Sequence, residues 1–185
     1  MFFQSIPWCA TLLNDPVYVV IPTPSRRPKQ STEDALLADT LKTKTTIPAI
    51  ITLYERPAKG RTLITEARLL VALEYGVNGY PNIAHGGLIG AIIDESMGIL
   101  LKCNKDMDKT ELGEPVDIDT LVTASLKVNY LQAVMTPQTV LVTAKIEEIK
   151  GRKFYMTGTV RDGNGAMLAK AEAMWIGIKF TREKL

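Results

Sequence analysis

Residues 85–101 read HGGLIGAIIDESMGILL, a mostly apolar run that is interrupted by two adjacent acids. A helix over Leu88–Leu101 carries apolar side chains on nearly every side, which indicates that it is buried all round. The run is too short and too interrupted to cross a membrane. Because a helix without a polar face must be covered by other elements, we expect a curved sheet to wrap around it.

The segments on both sides of this helix predict the strands of that sheet. Before it, Ile47–Tyr54 is rich in β-branched residues, and Leu63–Tyr75 is also interpreted as a strand, although Glu66–Glu74 is compatible with a helix. After it, period-two patterns and short turns predict strands at Leu121–Tyr130, Thr139–Ile149, Arg152–Arg161 and Met167–Phe180. The last third has no crossover helices, which disfavours a parallel sheet. We therefore expect an α+β fold in which an antiparallel sheet wraps around one long buried helix.

The N-terminal residues differ in composition from the rest. Five prolines between residues 7 and 28 favour an extended arm that lies over the domain. Ser31–Asp34 is typical of a helix N-terminus, and the apolar spacing after it predicts a short amphipathic helix. We assign residues 1–45 to an N-terminal arm with a short helix and residues 46–185 to the main domain.

The charge and the residue counts of the chain exclude several classes of function. The chain has 185 residues, 22 of them Lys or Arg and 20 Asp or Glu, with a net charge of +2. This mixed charge gives no electrostatic footprint for nucleic acid or an anionic membrane. A single histidine excludes zinc sites that need two or three histidines. Two distant cysteines and the absence of a recognisable leader predict a cytoplasmic protein without disulfides.

Asp94 and Glu95 are unusual in the apolar helix. An ionised carboxylate in such surroundings costs several kcal/mol unless it is paired or hydrogen-bonded. One interpretation is structural, with one acid in solvent and the other in a local pair. The other is functional, and the start of the helix favours it. Gly86-Gly87 would leave unpaired N–H groups at the positive end of the helix dipole, where an anion or an oxyanion can bind, although a tight glycine turn would also explain the pair.

The spacing of these two features has a geometric consequence. Asp94 follows His85 by nine residues, which is about 13.5 Å along a helix. One chain therefore cannot bring the Asp94 carboxylate and the Gly86 amide to the same carbonyl group. A symmetric dimer with two such helices side by side and antiparallel would bring the amide of one chain near the acid of the other. We expect two composite sites at a dimer interface.

His85-Gly86-Gly87 followed by Asp94 resembles the signature of hotdog-fold acyl-CoA thioesterases, in the branch with the phenylacetate-pathway thioesterases and thioesterase superfamily members 4 and 5 of animals. The resemblance continues through Thr123–Tyr130 and Gly151–Phe154 and covers roughly residues 47–180. It implies a hotdog fold, in which an antiparallel sheet grips a long helix and two sheets join edge to edge in a homodimer, which could pair further into a tetramer.

The resemblance also implies roles for four residues. Asp94 matches the acid that acts as general base on water or as nucleophile. The Gly86 amide matches the group that polarises the thioester carbonyl, and His85 matches the residue that holds the turn. Thr123 matches a Ser/Thr that positions the water, and the period-two pattern places it on the polar face of its strand. No cofactor is implied, because coenzyme A is part of the substrate.

Further substrate-binding candidates are less sharply indicated. Some relatives have an asparagine six residues before the histidine, where this chain has Gly79, and Asn82 is the nearest substitute. Coenzyme A phosphates need cationic contacts, for which residues near the predicted 150–151 turn are suitable. The candidates are Asn82, Gly87, Glu95, Lys127, Arg152 and Lys153.

Other functions are compatible with parts of the pattern. Asp94–Gly98 is one residue away from the GxSxG motif of serine hydrolases, with Ser96 as its serine, but the segment is predicted to lie inside a helix. A hotdog dehydratase or a non-hydrolytic acyl-binding protein would use the same fold. Among thioesterases, the substrate could be an acyl-CoA or an acyl or polyketide group on a carrier protein.

Overall fold

The computed structural model describes residues 2–57, 59, 63–105 and 120–179. Its main sheet has seven strands in the order β1-β2-β3-β7-β8-β9-β6, and every neighbouring pair is antiparallel. The strands are β1 (Tyr18–Pro22), β2 (Ile50–Glu55), β3 (Glu66–Leu73), β6 (Thr120–Tyr130), β7 (Gln138–Lys150), β8 (Lys153–Arg161) and β9 (Met167–Ile178). A small hairpin of β4 (Asn78–Tyr80) and β5 (Ile83–Ala84) precedes the long helix.

Helix α2 (Gly86–Lys105) packs against one face of the sheet, as the apolar run predicts. Ile93, Met97 and Leu100 are completely buried among residues of β3, β7, β8 and β9. Glu66–Glu74, which was compatible with a helix, lies mostly in β3 and pairs with both β2 and β7. The predicted strands are confirmed to within a few residues, and Phe180 at the end of the last one lies outside the described residues.

The N-terminal segment covers the opposite face of the sheet. Helix α1 (Pro7–Asn14) starts with a proline, which suits the first turn of a helix because that position needs no N–H donor. Phe3 and Cys9 are buried against Leu53 and Leu70 of the sheet. The chain then enters β1, which pairs with β2 at one sheet edge. The segment lies over the domain as expected, but Pro7–Asn14 is helical and not extended.

The helix predicted from Ser31 is reduced to one π-helical turn at Leu36–Thr40. Asp34 has φ of +62°, a left-handed conformation that cannot continue a right-handed helix. The Asp34 carboxylate instead pairs with Lys29 and with Lys102 of α2. This pairing ties the N-terminal segment to the long helix. Among the described residues, the helices are too short or too polar to span a bilayer.

Candidate active site at the start and middle of the long helix

The start of α2 is set by its packing against the β4–β5 hairpin. The His85 N–H donates to the Val77 carbonyl oxygen at 2.8 Å. A Cβ atom on Gly79 would lie 2.8 Å from His85 Cδ2, so the imidazole fills the space that a longer side chain would need. A side chain at position 79 would therefore need the imidazole to move.

The two glycines at the helix start differ in their hydrogen bonds. The Gly87 N–H donates to His85 Nδ1 at 2.9 Å, and the His85 carbonyl accepts from the N–H groups of Leu88 and Ile89. The Gly86 N–H, in contrast, donates to no acceptor in the described part of the chain. Of the two amides expected to be unpaired, one is therefore bound by the histidine ring. The other remains open to a ligand at the positive end of the helix.

Asp94 lies two turns further along α2 and contacts β6. Thr123 Oγ1 donates a hydrogen bond to Asp94 Oδ1 at 2.8 Å. Partial burial raises the pKa of the Asp94 carboxyl, and the hydrogen bond from Thr123 offsets part of that rise. The carboxylate is thus held in one orientation by a neutral donor and is paired with no cation among the described residues.

A β-bulge places Thr123 above Asp94. Thr123 pairs with Trp175 of β9 and Ser125 pairs with Met174, so that Ala124 between them is an extra residue. The bulge shifts the alternation of side chains between the two faces of the strand. Thr123 therefore faces the helix, as Tyr130 does, and the expectation that it lies on the polar face with Ser125 is wrong.

The far end of β6 contacts the start of the helix. Tyr130 Oη donates a hydrogen bond to the Gly86 carbonyl oxygen at 2.8 Å, and its ring is 3.5 Å from the place that a Cβ on Gly86 would occupy. The sequence reasoning missed this contact. Tyr130 lies on the predicted apolar face of the strand, and that position was the only feature of the sequence that pointed to a contact with the helix.

Glu95 points toward the N-terminal segment. Burial raises the pKa of its carboxyl, an effect reinforced by Asp34 and Asp94 and opposed by the nearby Ser25 hydroxyl and Lys102. The structure therefore gives Glu95 different neighbours from Asp94, which bonds to Thr123.

The cationic candidates lie on two different parts of the sheet. Arg152 donates to the Gly177 carbonyl at 3.3 Å, and Lys153 pairs with Ile176, close to the end where β6 begins. Lys127 pairs with exposed Glu172, on the face away from α2. The structure thus brings Arg152 and Lys153 to the Asp94 end of β6 and separates Lys127 from it.

Two other candidates have clear positions. Asn82 lies exposed in the turn of the β4–β5 hairpin with φ of +59°, and its carbonyl accepts from the Thr136 N–H at 2.9 Å. Ser96 is completely buried and donates to the Ile93 carbonyl at 2.7 Å. A serine nucleophile must be reachable by substrate, so this burial argues against the serine hydrolase interpretation.

The candidate residues therefore form two groups on one helix. His85, Gly86 and Tyr130 meet at its start, and Asp94 meets Thr123 eight residues further on. Eight helical residues span about 12 Å. Within one chain the open Gly86 amide and the Asp94 carboxylate cannot contact the same small group.

Comparisons with known proteins show which proteins this chain is similar to. Residues 81–169, just under half of the chain, match the Thioesterase superfamily. Verlamelin biosynthesis protein B of Lecanicillium sp is 26% identical over 164 residues, which cover 76% of this chain and 71% of that protein. Acyl-coenzyme A thioesterase THEM4 of Xenopus laevis is 27% identical over 114 residues, which cover 60% of this chain and 46% of that protein.

Solved structures show the same fold at low identity. The E. coli PaaI protein from the phenylacetic acid degradation operon is 11% identical, with a TM-score of 0.52 over 63% of this chain and 75% of that one. A thioesterase protein of Streptococcus pneumoniae TIGR4 with coenzyme A is 16% identical, with a TM-score of 0.51 over 62% and 79%. The strand order, the wrapped helix and the similarity to these structures show that this chain has the hotdog fold, and residues 81–169 are similar to the thioesterase superfamily.

Proposed function

We propose that the protein hydrolyses an acyl thioester, with acyl-CoA as the substrate, to a free acid and a thiol. The observation that carries this proposal is the Gly86 N–H at the start of a 20-residue helix, without an acceptor among the described residues. A donor fixed at a helix N-terminus stabilises the negative charge that develops on a thioester oxygen. The match to the thioesterase superfamily supports the same chemistry.

Asp94 supplies the base in this proposal. Its carboxylate takes a proton from a water molecule while the water oxygen attacks the thioester carbon, and Thr123 holds the carboxylate in position. The carbonyl oxygen becomes an oxyanion that accepts from the Gly86 N–H. Collapse of the tetrahedral intermediate breaks the C–S bond and expels the thiolate, which leaves with the proton. Burial that raises the pKa of Asp94 makes the carboxylate a stronger base.

The active form is a homodimer in this proposal. Strand β6 is an edge of the sheet, and Val122, Thr123 and Tyr130 are exposed along it. If two copies of β6 pair antiparallel about an axis beside Leu126 and Lys127, Thr123 of one chain lies opposite Tyr130 of the partner subunit. Each site then combines Asp94 from one chain with the Gly86 amide of the other. Further pairing into a tetramer stays a prediction.

Coenzyme A is the proposed thiol because the relatives point to it. THEM4 is named an acyl-coenzyme A thioesterase, although this chain spans only 46% of its length, and the S. pneumoniae structure contains coenzyme A. Arg152 and Lys153, at the Asp94 end of β6, are the proposed phosphate contacts. Asn82, Gly87, Glu95 and Lys127 stay weaker candidates for contacts with other parts of the substrate. The reaction needs no further cofactor, and a cytoplasmic location stays a prediction.

A second candidate is the release of an acyl or polyketide group from a carrier protein. It is favoured by the similarity to a verlamelin biosynthesis protein, which covers more of this chain than the similarity to THEM4 does. The same residues would perform the same chemistry, and only the thiol would differ.

The test is thiol release from short, long and aromatic acyl-CoAs by wild type and by Asp94→Asn. We expect wild type to release CoA and the variant to lose about 10²- to 10⁴-fold in kcat, because the amide accepts no proton from water. Asp39→Asn, at an exposed position outside the site, is the matched control and should keep full activity.

Two outcomes would count against this proposal. Turnover by Asp94→Asn within a factor of three of wild type would remove Asp94 from the mechanism. If wild type releases no thiol from any CoA ester but does so from a loaded carrier protein, the second candidate takes the place of the first.

A further inference from the structure

The peptide group between Gly86 and Gly87 is held at both ends by side chains. Its N–H, on Gly87, donates to His85 Nδ1 at 2.9 Å. Its carbonyl, on Gly86, accepts from Tyr130 Oη at 2.8 Å. The histidine belongs to the loop before the helix, whereas the tyrosine belongs to the edge strand β6, 44 residues further along the chain.

Glycine needs such support at this position. Gly86 has no Cβ, and its backbone therefore has access to more conformations than that of any other residue. The Gly86 N–H lies in the peptide plane shared with His85, and the two backbone torsions of Gly86 link that plane to the Gly86–Gly87 plane, so fixing both planes limits the movement of the N–H. The helix anchors the first plane through the His85 carbonyl, which accepts from the N–H groups of Leu88 and Ile89. His85 and Tyr130 anchor the second plane.

We propose that Tyr130 is a positioning residue for the oxyanion donor, and that its hydroxyl holds the Gly86–Gly87 peptide so that the Gly86 N–H points at the substrate carbonyl. This inference rests on the proposed thioester hydrolysis. Tyr130 acts through the backbone and transfers no proton. Its ring packs on Gly86 and stays in place without the hydroxyl, so that the hydrogen bond can be tested separately from the packing.

The experiment compares Tyr130→Phe with wild type on the best acyl-CoA. We expect kcat to fall about 10-fold with KM unchanged within a factor of two, because a donor that is fixed less well loses transition-state stabilisation and leaves substrate binding intact. Tyr75→Phe is the matched control, since Tyr75 is similarly exposed, at 64% against 55%, and lies outside the site. It should leave both constants unchanged.

A second measurement does not depend on turnover. Hydrogen exchange of the Gly87 amide, followed by NMR, should speed up about 10-fold in Tyr130→Phe, while exchange of core amides on α2 stays the same. A merely structural role would lower the melting temperature and speed up exchange along the whole helix.

The outcomes separate the two proposals. If wild type hydrolyses thioesters and Tyr130→Phe has the same kcat, or loses activity only through a higher KM, the role of Tyr130 is overturned. If wild type hydrolyses no thioester, the proposed function fails. In that case an unchanged Gly87 exchange rate overturns the anchoring role as well, and a faster rate supports it.

Discussion

Two opposing effects act on the pKa of the Asp94 carboxyl. Burial disfavours its charged form and raises its pKa, whereas the Thr123 hydroxyl donates to the carboxylate and favours the charged form. A carboxyl with a raised pKa in the folded state stabilises the fold when it is protonated. That contribution is fully present below the unfolded pKa and is lost as pH rises through the folded pKa. Asp94 and Glu95 both have raised pKa values, so ionisation of either acid on α2 lowers the free energy of unfolding.

Thr123→Val tests this balance at the residue scale. The variant keeps the shape of the side chain and removes the donor, so the pKa of Asp94 rises further. The acidic limb of the kcat/KM profile should move to higher pH. We expect kcat/KM to be about 10-fold lower at pH values on the acidic limb and the loss to shrink as pH rises above it, as measured by pH-dependent thiol release.

Thr123→Ser is the control for the hydroxyl. Serine retains the donor and should restore both the position of the acidic limb and most of the rate. An acidic limb that stays in the same place in Thr123→Val would mean that the hydroxyl does not influence the titration of Asp94.

At the scale of elements, the N-terminal helix α1 packs against the turn between β8 and β9. Trp8 of α1 lies against Gly163 in the turn between Arg161 and Met167. A Cβ on Gly163 would be 2.5 Å from Trp8 Nε1, closer than real Cβ contacts allow. Asp162 Oδ1 accepts from the Asn164 and Ala166 N–H groups and fixes the turn from within. The helix therefore docks on a rigid turn and covers the face of β2 and β3.

Gly163→Ala should therefore destabilise the protein. We expect a loss of about 1–3 kcal/mol from overpacking, measured by urea denaturation. In a Trp8→Ala background the same change should cost less than about 0.5 kcal/mol, because the contact is gone. Asn164→Ala, in the same turn and exposed, serves as the control. Equal costs in both backgrounds would show that Trp8 does not pack on this turn.

At the scale of the whole molecule, the two halves of the candidate site lie about 12 Å apart on α2. Both halves contact β6, through Thr123 and Tyr130, and β6 is a sheet edge without a further strand in the described structure. In the proposed homodimer, a second copy paired at this edge would complete two sites by one two-fold rotation. That assembly would account for both the exposed edge and the division of the site.

Complementation tests the assembly. Gly86→Pro removes the N–H at the first helical position, where proline is tolerated, and Asp94→Asn removes the base. Each variant alone should be inactive. After mixing and subunit exchange, half of the dimers are mixed and each mixed dimer has one intact site, so about a quarter of wild-type activity should return.

The control mixes each variant with itself, which should restore nothing. An inactive mixture in which mass spectrometry shows heterodimers would place both groups of a site in one chain and contradict the composite arrangement.

The sequence by itself determined the buried helix, the main strands around it and the residues of the glycine-rich start and of Asp94. These features depend on local periodicity and composition, which a short window of residues already contains. The same local reasoning missed the helix in the N-terminal segment, because a proline-rich composition is compatible with both an extended arm and a helix that begins at Pro7.

Only the tertiary structure decided how the site is arranged. The bulge at Ala124 depends on the pairing of β6 with β9, and it turns Thr123 toward Asp94. The period-two pattern of the sequence had predicted Thr123 on the other face of the strand. The hydrogen bond from Tyr130 to Gly86 joins residues that are 44 positions apart. Such contacts arise when distant segments pack together, so no local pattern specifies them. For this protein the sequence therefore determined which residues are candidates for the chemistry, and the packing of distant strands on one helix decided which of them meet.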